Sequence, residues 1–358
     1  MNYIGSKFSL LNFLEETILS TVNFGDKKPE NLYFTDLFAG TGVVSAKFKE
    51  LGYNIISNDI QYYSYVLSKA ALLNISDLKF EKLIEEKIIS SENPTEEIFT
   101  YLNNLKEVEG FVFNNYCLTG TKEKEFPRQY FSDDNGKKCD AIRKIIEEWH
   151  IKSLITESEY FYLLAALIDS IDRYANTASV YGAFLKKLKK SALGKFHITP
   201  YSKYNSDQND KIRTYMVYNR DANNLIREIE GDILYLDPPY NRRQYCDNYH
   251  VLETIAKYDN PILKGVTGLR IDSSKSKYCS TRLVKEIFRD LIENANFKYI
   301  FLSYNDEGLL SLEDIREIFS EFGTYLSFEK KYKRYKADSK RNNKKTETTE
   351  YIHCLIKN

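Results

Sequence analysis

The sequence predicts an α/β protein with a mostly parallel sheet, a C-terminal antiparallel hairpin and an inserted, largely helical region. Two observations lead to this prediction. Runs rich in β-branched and aromatic residues alternate with helical periodicity near both ends of the chain, and a long stretch dominated by helical periodicity separates them. Alternation of this kind builds β-α-β units, whose right-handed crossovers make the strands parallel and place ligands at their carboxyl ends.

The first β-α-β unit lies near the N-terminus. Residues 33–38 form a strand-like run that ends in glycine-containing sequence, apolar residues over 43–51 have helical spacing, and 54–57 is a second strand-like run. We therefore predict two neighbouring parallel strands joined by a helix.

The alternation of strand-like and helical patterns stops between residues 76 and 213, and we predict an inserted region there. Helical periodicity covers 78–105, 141–150 and 157–190, whereas 110–138 is rich in Gly, Asn and Asp and is predicted to be irregular. Long irregular loops in compact proteins are commonly functional, and the aromatic residues of this segment argue against simple disorder. The segments 1–75 and 214–358 are predicted to form one domain around the insertion.

Strand and helix alternate again after the insertion. Strands are predicted over 214–218, 232–236 and 298–303, and helices near 223–229 and over 312–322. Residues 325–332 and 351–356 are predicted to pair as the closing antiparallel hairpin.

Composition limits the classes of function. The chain has 358 residues, with 51 Lys and Arg against 51 Asp and Glu, and its longest apolar stretch, 161–168, is far shorter than the ~20 residues that span a bilayer. Five separated cysteines without a C-x-x-C pair and four scattered histidines indicate neither a disulfide framework nor a metal site. We expect a soluble, cytoplasmic protein that does not associate with membranes.

The first motif is DLFAGTG at 36–42, which follows the first predicted strand. Glycines allow the backbone to approach a ligand closely, and Asp59, 19 residues after Gly40, suits a contact to ribose hydroxyls. Ser45 stands where a dinucleotide fingerprint has its third glycine, which favours a nucleoside with a short amino-acid arm over a pyrophosphate-bearing cofactor. A tight turn that serves only packing is the alternative.

The second motif is Asp237-Pro238-Pro239-Tyr240, directly after the predicted strand 232–236. Because proline has no N–H, this turn presents oxygen acceptors without competing donors. Paired acceptors suit a substrate with two N–H bonds, such as an exocyclic amine, and the tyrosine offers a face for a heterocycle. A purely structural turn is again the alternative.

With these motifs the chain resembles the S-adenosylmethionine-dependent DNA adenine-N6 methyltransferases. The resemblance rests on NYIGSK at 2–7, FAGTG at 38–42 and DPPY at 237–240, in the order that puts the target-recognition region between the last two motifs. Segments 130–137 and 174–183 of the insertion also resemble restriction-modification adenine methyltransferases. The resemblance implies a Rossmann-like class I methyltransferase sheet, S-adenosylmethionine as cofactor and double-stranded DNA as substrate.

The resemblance also implies roles for particular residues. Those assigned to the cofactor are Tyr3, Gly5 and Lys7 at its methionine end, Asp36, Phe38, Ala39, Gly40, Thr41 and Gly42 along its pocket, Asp59 on the ribose, Asp221 on the adenine amino group, and Asp237. A single Asp at a strand end is often a helix N-cap, which leaves a second interpretation of Asp221.

The chemistry would take place at the DPPY turn. Asp237 and the Pro238 carbonyl would accept the two hydrogens of adenine N6, and the carboxylate would stabilise the positive charge that develops on nitrogen. Since a base inside a duplex cannot reach such a pocket, the adenine would be flipped out and stacked on Tyr240.

DNA contacts are predicted from basic residues. Arg242 and Arg243 follow the catalytic turn directly, Arg128, Lys137 and Lys138 lie in the insertion, and lysine-rich clusters cover 186–195 and 330–345. Sequence readout is assigned to the insertion, roughly 110–203. We expect a monomer that works beside a cognate restriction endonuclease. The alternatives are methylation of a ribosomal RNA amine and a catalytically inactive DNA-binding specificity subunit.

Overall fold

The computed structural model describes residues 3–74, 77–201, 213–333 and 347–358, and these divide into two compact units. The helical unit comprises residues 3–4, 61–74, 77–201 and 245–274, and the sheet unit comprises the other described residues. Within the described ranges, every helix is too short or too polar to cross a membrane.

The strands confirm the predicted mostly parallel sheet with an antiparallel C-terminal pair. In chain order they are β1 (Tyr33–Asp36), β2 (Asn54–Asn58), β3 (Tyr215–Tyr218), β4 (Glu230–Leu236), β5 (Leu263–Lys264), β6 (Leu269–Arg270), β7 (Asn296–Asn305), β8 (Gly323–Lys333) and β9 (Glu347–Lys357). Seven of them form the main sheet in the order β3-β2-β1-β4-β7-β9-β8, while β5 and β6 form a separate antiparallel ribbon in the helical unit.

The direction of the strands decides which residues meet at one edge of the main sheet. Strands β3, β2, β1, β4 and β7 are neighbours in the sheet and run parallel. The segments that follow β1, β2 and β4 therefore leave the same edge of the sheet. Strand β9 is antiparallel to β7, and Glu350 near its start is paired with Asn305 at the end of β7. The first residues of β9 therefore lie at the edge where ligands bind in open α/β sheets.

Helices occupy both units. In chain order they are α1 (Leu11–Thr21), α2 (Val43–Glu50), α3 (Tyr62–Leu72), α4 (Glu81–Glu85), α5 (Pro94–Asn104), α6 (Phe111–Tyr116), α7 (Leu118–Thr121), α8 (Asp133–Ile151), α9 (Glu157–Asp172), α10 (Lys190–Leu193), α11 (Ala222–Leu225), α12 (Tyr245–Asn248), α13 (His250–Lys257), α14 (Val284–Asn294) and α15 (Leu312–Phe322). Short 3-10 helices cover Lys7–Leu10, Pro29–Asn31 and Lys277–Cys279.

The helical unit has its own apolar core, built around α9, which is buried along almost its whole length. A capping box from Thr156 and Glu159 starts this helix. Two predictions were wrong here: 110–138 contains α6, α7 and the start of α8, and the helix predicted over 157–190 ends at Asp172. After α9 the backbone is fixed instead by buried Asn176, whose side-chain amide donates to the carbonyls of Gln129 and Leu185.

The sheet unit has a second core. Apolar residues of β4 and β7 pack with the buried apolar faces of α14 and α15. Helix α15 was predicted, whereas α14 was not. Residues 61–74 and 245–274 belong to the helical unit, outside the predicted insertion limits of 76 and 213. The assignment of residues 76–213 to target recognition stays a prediction.

Candidate active site

The loop between β1 and α2 is shaped by two glycines. Gly40 has φ of 55° and Gly42 has φ of 73°, a left-handed conformation that side chains with a Cβ adopt only at a cost. The amide of Ala39 donates to the carbonyl of Asn58 at 2.9 Å, which ties this loop to the end of β2. The predicted cofactor segment therefore lies at the carboxyl edge of the sheet.

Asp36 ends β1 and is buried. Its Oδ2 accepts from the backbone amide and the hydroxyl of Ser45, at 3.2 and 2.8 Å. Its Oδ1 has no hydrogen-bond partner in the described part of the chain. Burial is the main cause that raises the pKa of Asp36 to about 7, with the Asp237 and Asp59 charges adding to the shift and the Ser45 hydrogen bonds opposing it.

Two more of the predicted cofactor acids, Asp59 and Asp221, accept hydrogen bonds from backbone amides. Asp59 Oδ2 accepts from the amide of Gly40 at 2.9 Å, and this bond fixes the glycine loop from the end of β2. Asp221 is the N-cap of α11, accepting from the amide of Asn224 at 3.1 Å. The N-cap interpretation of Asp221 is confirmed, while the contacts of both acids to a cofactor stay predictions.

The DPPY turn follows β4 and joins a cluster of charged groups. Lys7 Nζ lies 3.2 Å from Asp237 Oδ1 and 2.7 Å from Glu350 Oε1, and it also donates to the Tyr240 hydroxyl. That hydroxyl is 2.6 Å from Asp237 Oδ1 and 3.0 Å from Glu350 Oε1. Ser303 on β7 donates to Glu350 Oε1 at 3.0 Å.

The charged groups of this cluster differ in their exposure to solvent. The Lys7 and Glu350 side chains are 5% and 1% exposed, whereas the Asp237 side chain is 17% exposed and so can be reached from solvent. Burial raises the pKa of Asp237 to about 6, against the opposing effects of Lys7 and the Tyr240 hydrogen bond. Burial also disfavours the Lys7 ammonium, but attraction to Asp237 and Glu350 outweighs it and raises the pKa of Lys7.

Glu350 is a site residue that the sequence prediction missed. It was overlooked because it lies 343 residues from Lys7 and just before the segment 351–356, which was predicted only as a hairpin strand. The available signal was its alternation with Ile352 and Cys354, because residues two apart in a strand share a face and both neighbours are buried. An acid on the buried face of a strand needs partners, and here Lys7, Tyr240 and Ser303 provide them.

Comparison with known proteins identifies the family. Residues 3–318 match the family model of the D12 class N6 adenine-specific DNA methyltransferases. The chain belongs to this family. The resemblance that the motifs indicated is thereby confirmed, and the protein is an adenine-specific DNA methyltransferase that uses a methyl donor.

Several curated relatives are similar to this methyltransferase over all or most of its length. It is 48% identical to the Type II methyltransferase M.NlaIII of Neisseria lactamica, over 100% of this chain and 99% of the relative. It is 41% identical to the Type II methyltransferase M.FokI of Planomicrobium okeanokoites, again over 100% of this chain but only 53% of the relative. The Type II methyltransferase M.CviAII of Paramecium bursaria Chlorella virus 1 is 34% identical over 94% of this chain and 93% of the relative.

The start of the methyltransferase chain contributes to both units. Tyr3 lies in the helical unit, where its ring stacks on Tyr249 at 4.8 Å and lies 5.7 Å from Tyr245. Gly5 has φ of 83°, and Lys7 follows in the sheet unit. The structure thus assigns Lys7 to the DPPY cluster, and the predicted roles of Tyr3 and Gly5 at a cofactor stay predictions.

The predicted DNA contacts of the methyltransferase differ in their surroundings. Arg242 and Arg243 are exposed, and neither makes an ion pair within the described ranges. Arg128 is buried, and its guanidinium donates to the carbonyls of Gly265 at 3.0 Å, Val266 at 3.2 Å and Asn115 at 3.3 Å. Those bonds indicate that Arg128 supports the β5-β6 turn.

The lysines predicted to bind DNA are partly engaged within the protein. Lys137 pairs with Glu109 at 2.8 Å, and buried Lys138 donates to the carbonyl of Leu105. Lys186, Lys187 and Lys195 of the first lysine-rich cluster are exposed. In the second cluster, 330–345, the part from residue 334 onward lies outside the described residues.

Proposed function

We propose that this methyltransferase transfers a methyl group from S-adenosylmethionine to N6 of a flipped-out adenine in double-stranded DNA. The observation that carries the proposal is the partly exposed Asp237 carboxylate at the end of β4, held by Lys7 and Tyr240. Such a fixed carboxylate, aimed at a position where positive charge develops, stabilises a transition state without reorganisation.

The residues around the glycine loop fit S-adenosylmethionine. Gly40 and Gly42 leave backbone accessible, Asp59 and Asp221 offer acceptors for hydroxyl and amino groups, and Asp36 has a buried oxygen without a partner among the described residues. The remaining proposed pocket residues are Tyr3, Gly5, Lys7, Phe38, Ala39, Thr41 and Asp237. Bound there, S-adenosylmethionine supplies a methyl group carried on a sulfonium, and the nearby carboxylates complement its positive charge.

Asp237 and the Pro238 carbonyl act on the adenine amine. Hydrogen bonds from N6 to these two oxygens draw its lone pair out of the ring and make the nitrogen a better nucleophile. The carboxylate charge then stabilises the ammonium character of N6 as the new bond forms. Pro239 leaves the turn without an amide donor that would compete for the acceptors.

DNA would be held by both charge and stacking. Tyr240 supplies the face for the flipped base, while Arg242 and Arg243 contact the phosphates beside it. Their exposure supports this assignment. Residues 76–213 would read the target sequence, with the exposed lysines of 186–195 and, more weakly, Arg128, Lys137 and Lys138 as phosphate contacts.

We also infer that the enzyme acts as a monomer and protects host DNA from a cognate restriction endonuclease. The relatives M.NlaIII and M.FokI are named Type II methyltransferases, and others are named modification methylases, which supports this role. Light scattering of the purified protein tests the monomer, and resistance of DNA from expressing cells to the companion endonuclease tests protection.

The central experiment compares the wild-type chain with Asp237→Ala in a methylation-deficient bacterial host. Single-molecule sequencing should find N6-methyladenine at one short motif for the wild type and none for the variant. Asp26→Asn, which alters an exposed acid before β1, is the matched control and should methylate like the wild type. Unmodified DNA together with a methylated ribosomal RNA would contradict the proposal.

A further inference from the structure

We propose that Glu350 is a positioning residue for methyl transfer, which competes with Asp237 for the Lys7 ammonium and the Tyr240 hydroxyl and so leaves the Asp237 carboxylate available to accept hydrogen bonds from the substrate. This inference rests on the proposed function of Asp237. It goes beyond the family match, which ends at residue 318.

The distances show two carboxylates sharing one set of donors. Lys7 Nζ is closer to Glu350 Oε1, at 2.7 Å, than to Asp237 Oδ1, at 3.2 Å. Tyr240 has a single hydroxyl hydrogen, and both carboxylates lie within hydrogen-bond distance of it. Without Glu350, both donors would turn wholly to Asp237 and weaken it as an acceptor for substrate.

The charges of the cluster lead to the same conclusion. Lys7 beside Asp237 alone would form a neutral pair, which has little attraction for positive charge on N6. Glu350 adds a second negative charge, so that one ammonium and two carboxylates leave a net charge of −1. In a buried cluster this excess charge acts strongly on a neighbouring cation.

The burial of Glu350 is hard to explain by packing. Its side chain is 1% exposed, and its Oε2 has no hydrogen-bond partner among the described residues. A buried oxygen without a donor destabilises the folded state, and such groups in native proteins call for a functional explanation. An apolar residue like Ile352, two positions on, would fill the same face of β9 without that penalty.

The cluster is assembled from several elements of the sheet unit, and exposed Lys330 on the neighbouring strand β8 is paired with Glu350 in the register of the sheet. Lys7 comes from the 3-10 helix Lys7–Leu10, Asp237 and Tyr240 from the turn after β4, and Ser303 from β7. Asp36, at the end of β1, is the further carboxylate whose charge interacts with Asp237. Glu350 therefore acts through Lys7 and Tyr240 rather than on the substrate itself.

The test is Glu350→Gln, which keeps the shape and one acceptor oxygen but removes the charge. We expect kcat to fall at least about tenfold, as for other preorganised electrostatic groups, with KM for DNA little changed. The acid limb of the rate profile should move to lower pH, because the Glu350 charge contributes to the raised pKa of Asp237. Glu329→Gln removes an exposed acid from the neighbouring strand β8 and should leave kcat and the pH profile unchanged.

A second variant separates charge from fold. Glu350→Asp retains the charge, so it should keep the wild-type acid limb even if its shorter side chain lowers kcat. In a Lys7→Met background, Glu350→Gln should cause little further loss, because the shared ammonium is gone.

Two results would overturn the inference. The first is a Glu350→Gln enzyme whose kcat and acid limb are those of the wild type. The second is an equal loss of kcat in Glu350→Gln and Glu350→Asp, with the acid limb of both variants at the wild-type pH. The proposed function fails separately, if the wild type and Glu329→Gln also leave adenine unmethylated.

Discussion

Replacing Lys7 with Met should shift the pH at which this enzyme works. The ammonium lies 3.2 Å from Asp237 Oδ1, and two unit charges at that separation attract by about 5 kcal/mol at an effective dielectric constant of about 20. Loss of the whole term would raise the pKa of Asp237 by about 4 units. Since the Asp237 side chain is 17% exposed, water offsets part of this loss, and we expect a rise of roughly 2 units.

The shift has a definite consequence for rate. In the proposed mechanism Asp237 must be ionised to accept hydrogen bonds from N6, and its pKa of about 6 in the wild type leaves it mostly ionised at neutral pH. After a rise of that size, only about a tenth of Asp237 would be ionised at pH 7. Activity of Lys7→Met should therefore fall about tenfold at pH 7 and recover towards its plateau near pH 9.

The assay is incorporation of labelled methyl groups into DNA between pH 5.5 and 9.5, at saturating S-adenosylmethionine. Lys285→Met removes a half-exposed lysine that pairs with Glu317 away from the DPPY cluster, and it should keep the wild-type profile. An acid limb of Lys7→Met that stays near pH 6 would refute the electrostatic coupling. A loss of equal size at every pH would refute it as well.

Three further predictions concern stability and DNA binding. Asp36→Asn should stabilise the fold more at pH 8 than at pH 5, by up to about 3 kcal/mol, because a folded pKa of about 7 means that ionisation between these pH values opposes folding. Equal melting shifts at both pH values would contradict this. Arg128→Met should lower the melting temperature, because it leaves backbone carbonyls unpaired. Arg242→Gln should reduce the slope of log DNA affinity against log salt concentration by about 1. A stable Arg128→Met with a reduced slope, together with a destabilised Arg242→Gln, would contradict both assignments. Gly42→Ala should destabilise the loop by about 1 kcal/mol and weaken S-adenosylmethionine binding in calorimetry, and unchanged affinity would argue against a cofactor role.

Local patterns were enough to predict most of the sheet unit. Strands β1, β2 and β4 and helix α15 match the predicted segments closely, because short apolar and β-branched runs predict buried strands and the helical spacing of apolar residues predicts an amphipathic helix. The closing hairpin was predicted too, and β8 and β9 extend it beyond the expected ends. Both chemical motifs follow strands, so the parallel sheet brings them to one edge.

The unpredicted features depend on contacts between distant residues. Composition alone suggested an irregular 110–138, but Asp140 on α8 accepts from the amides of Val112 and Phe113 and so supports α6. Arg128 carries the same charge as a DNA-binding arginine, and only the carbonyls of the β5-β6 turn show its other function. The role proposed for Glu350 likewise depends on its contact with Lys7, and a local sequence pattern cannot reveal a contact between residues so far apart in the chain.

The position of Glu350 on β9 bears on how activity appears during synthesis. A ribosome releases the segments carrying Lys7, the glycine loop and DPPY long before β9, which must then insert between β7 and β8. Pairings between residues so far apart form slowly, because the entropy of closing the loop is lost before the contact stabilises the fold. A nascent chain that already contains both sequence motifs therefore still lacks the second carboxylate, and full methylating capacity awaits docking of this strand.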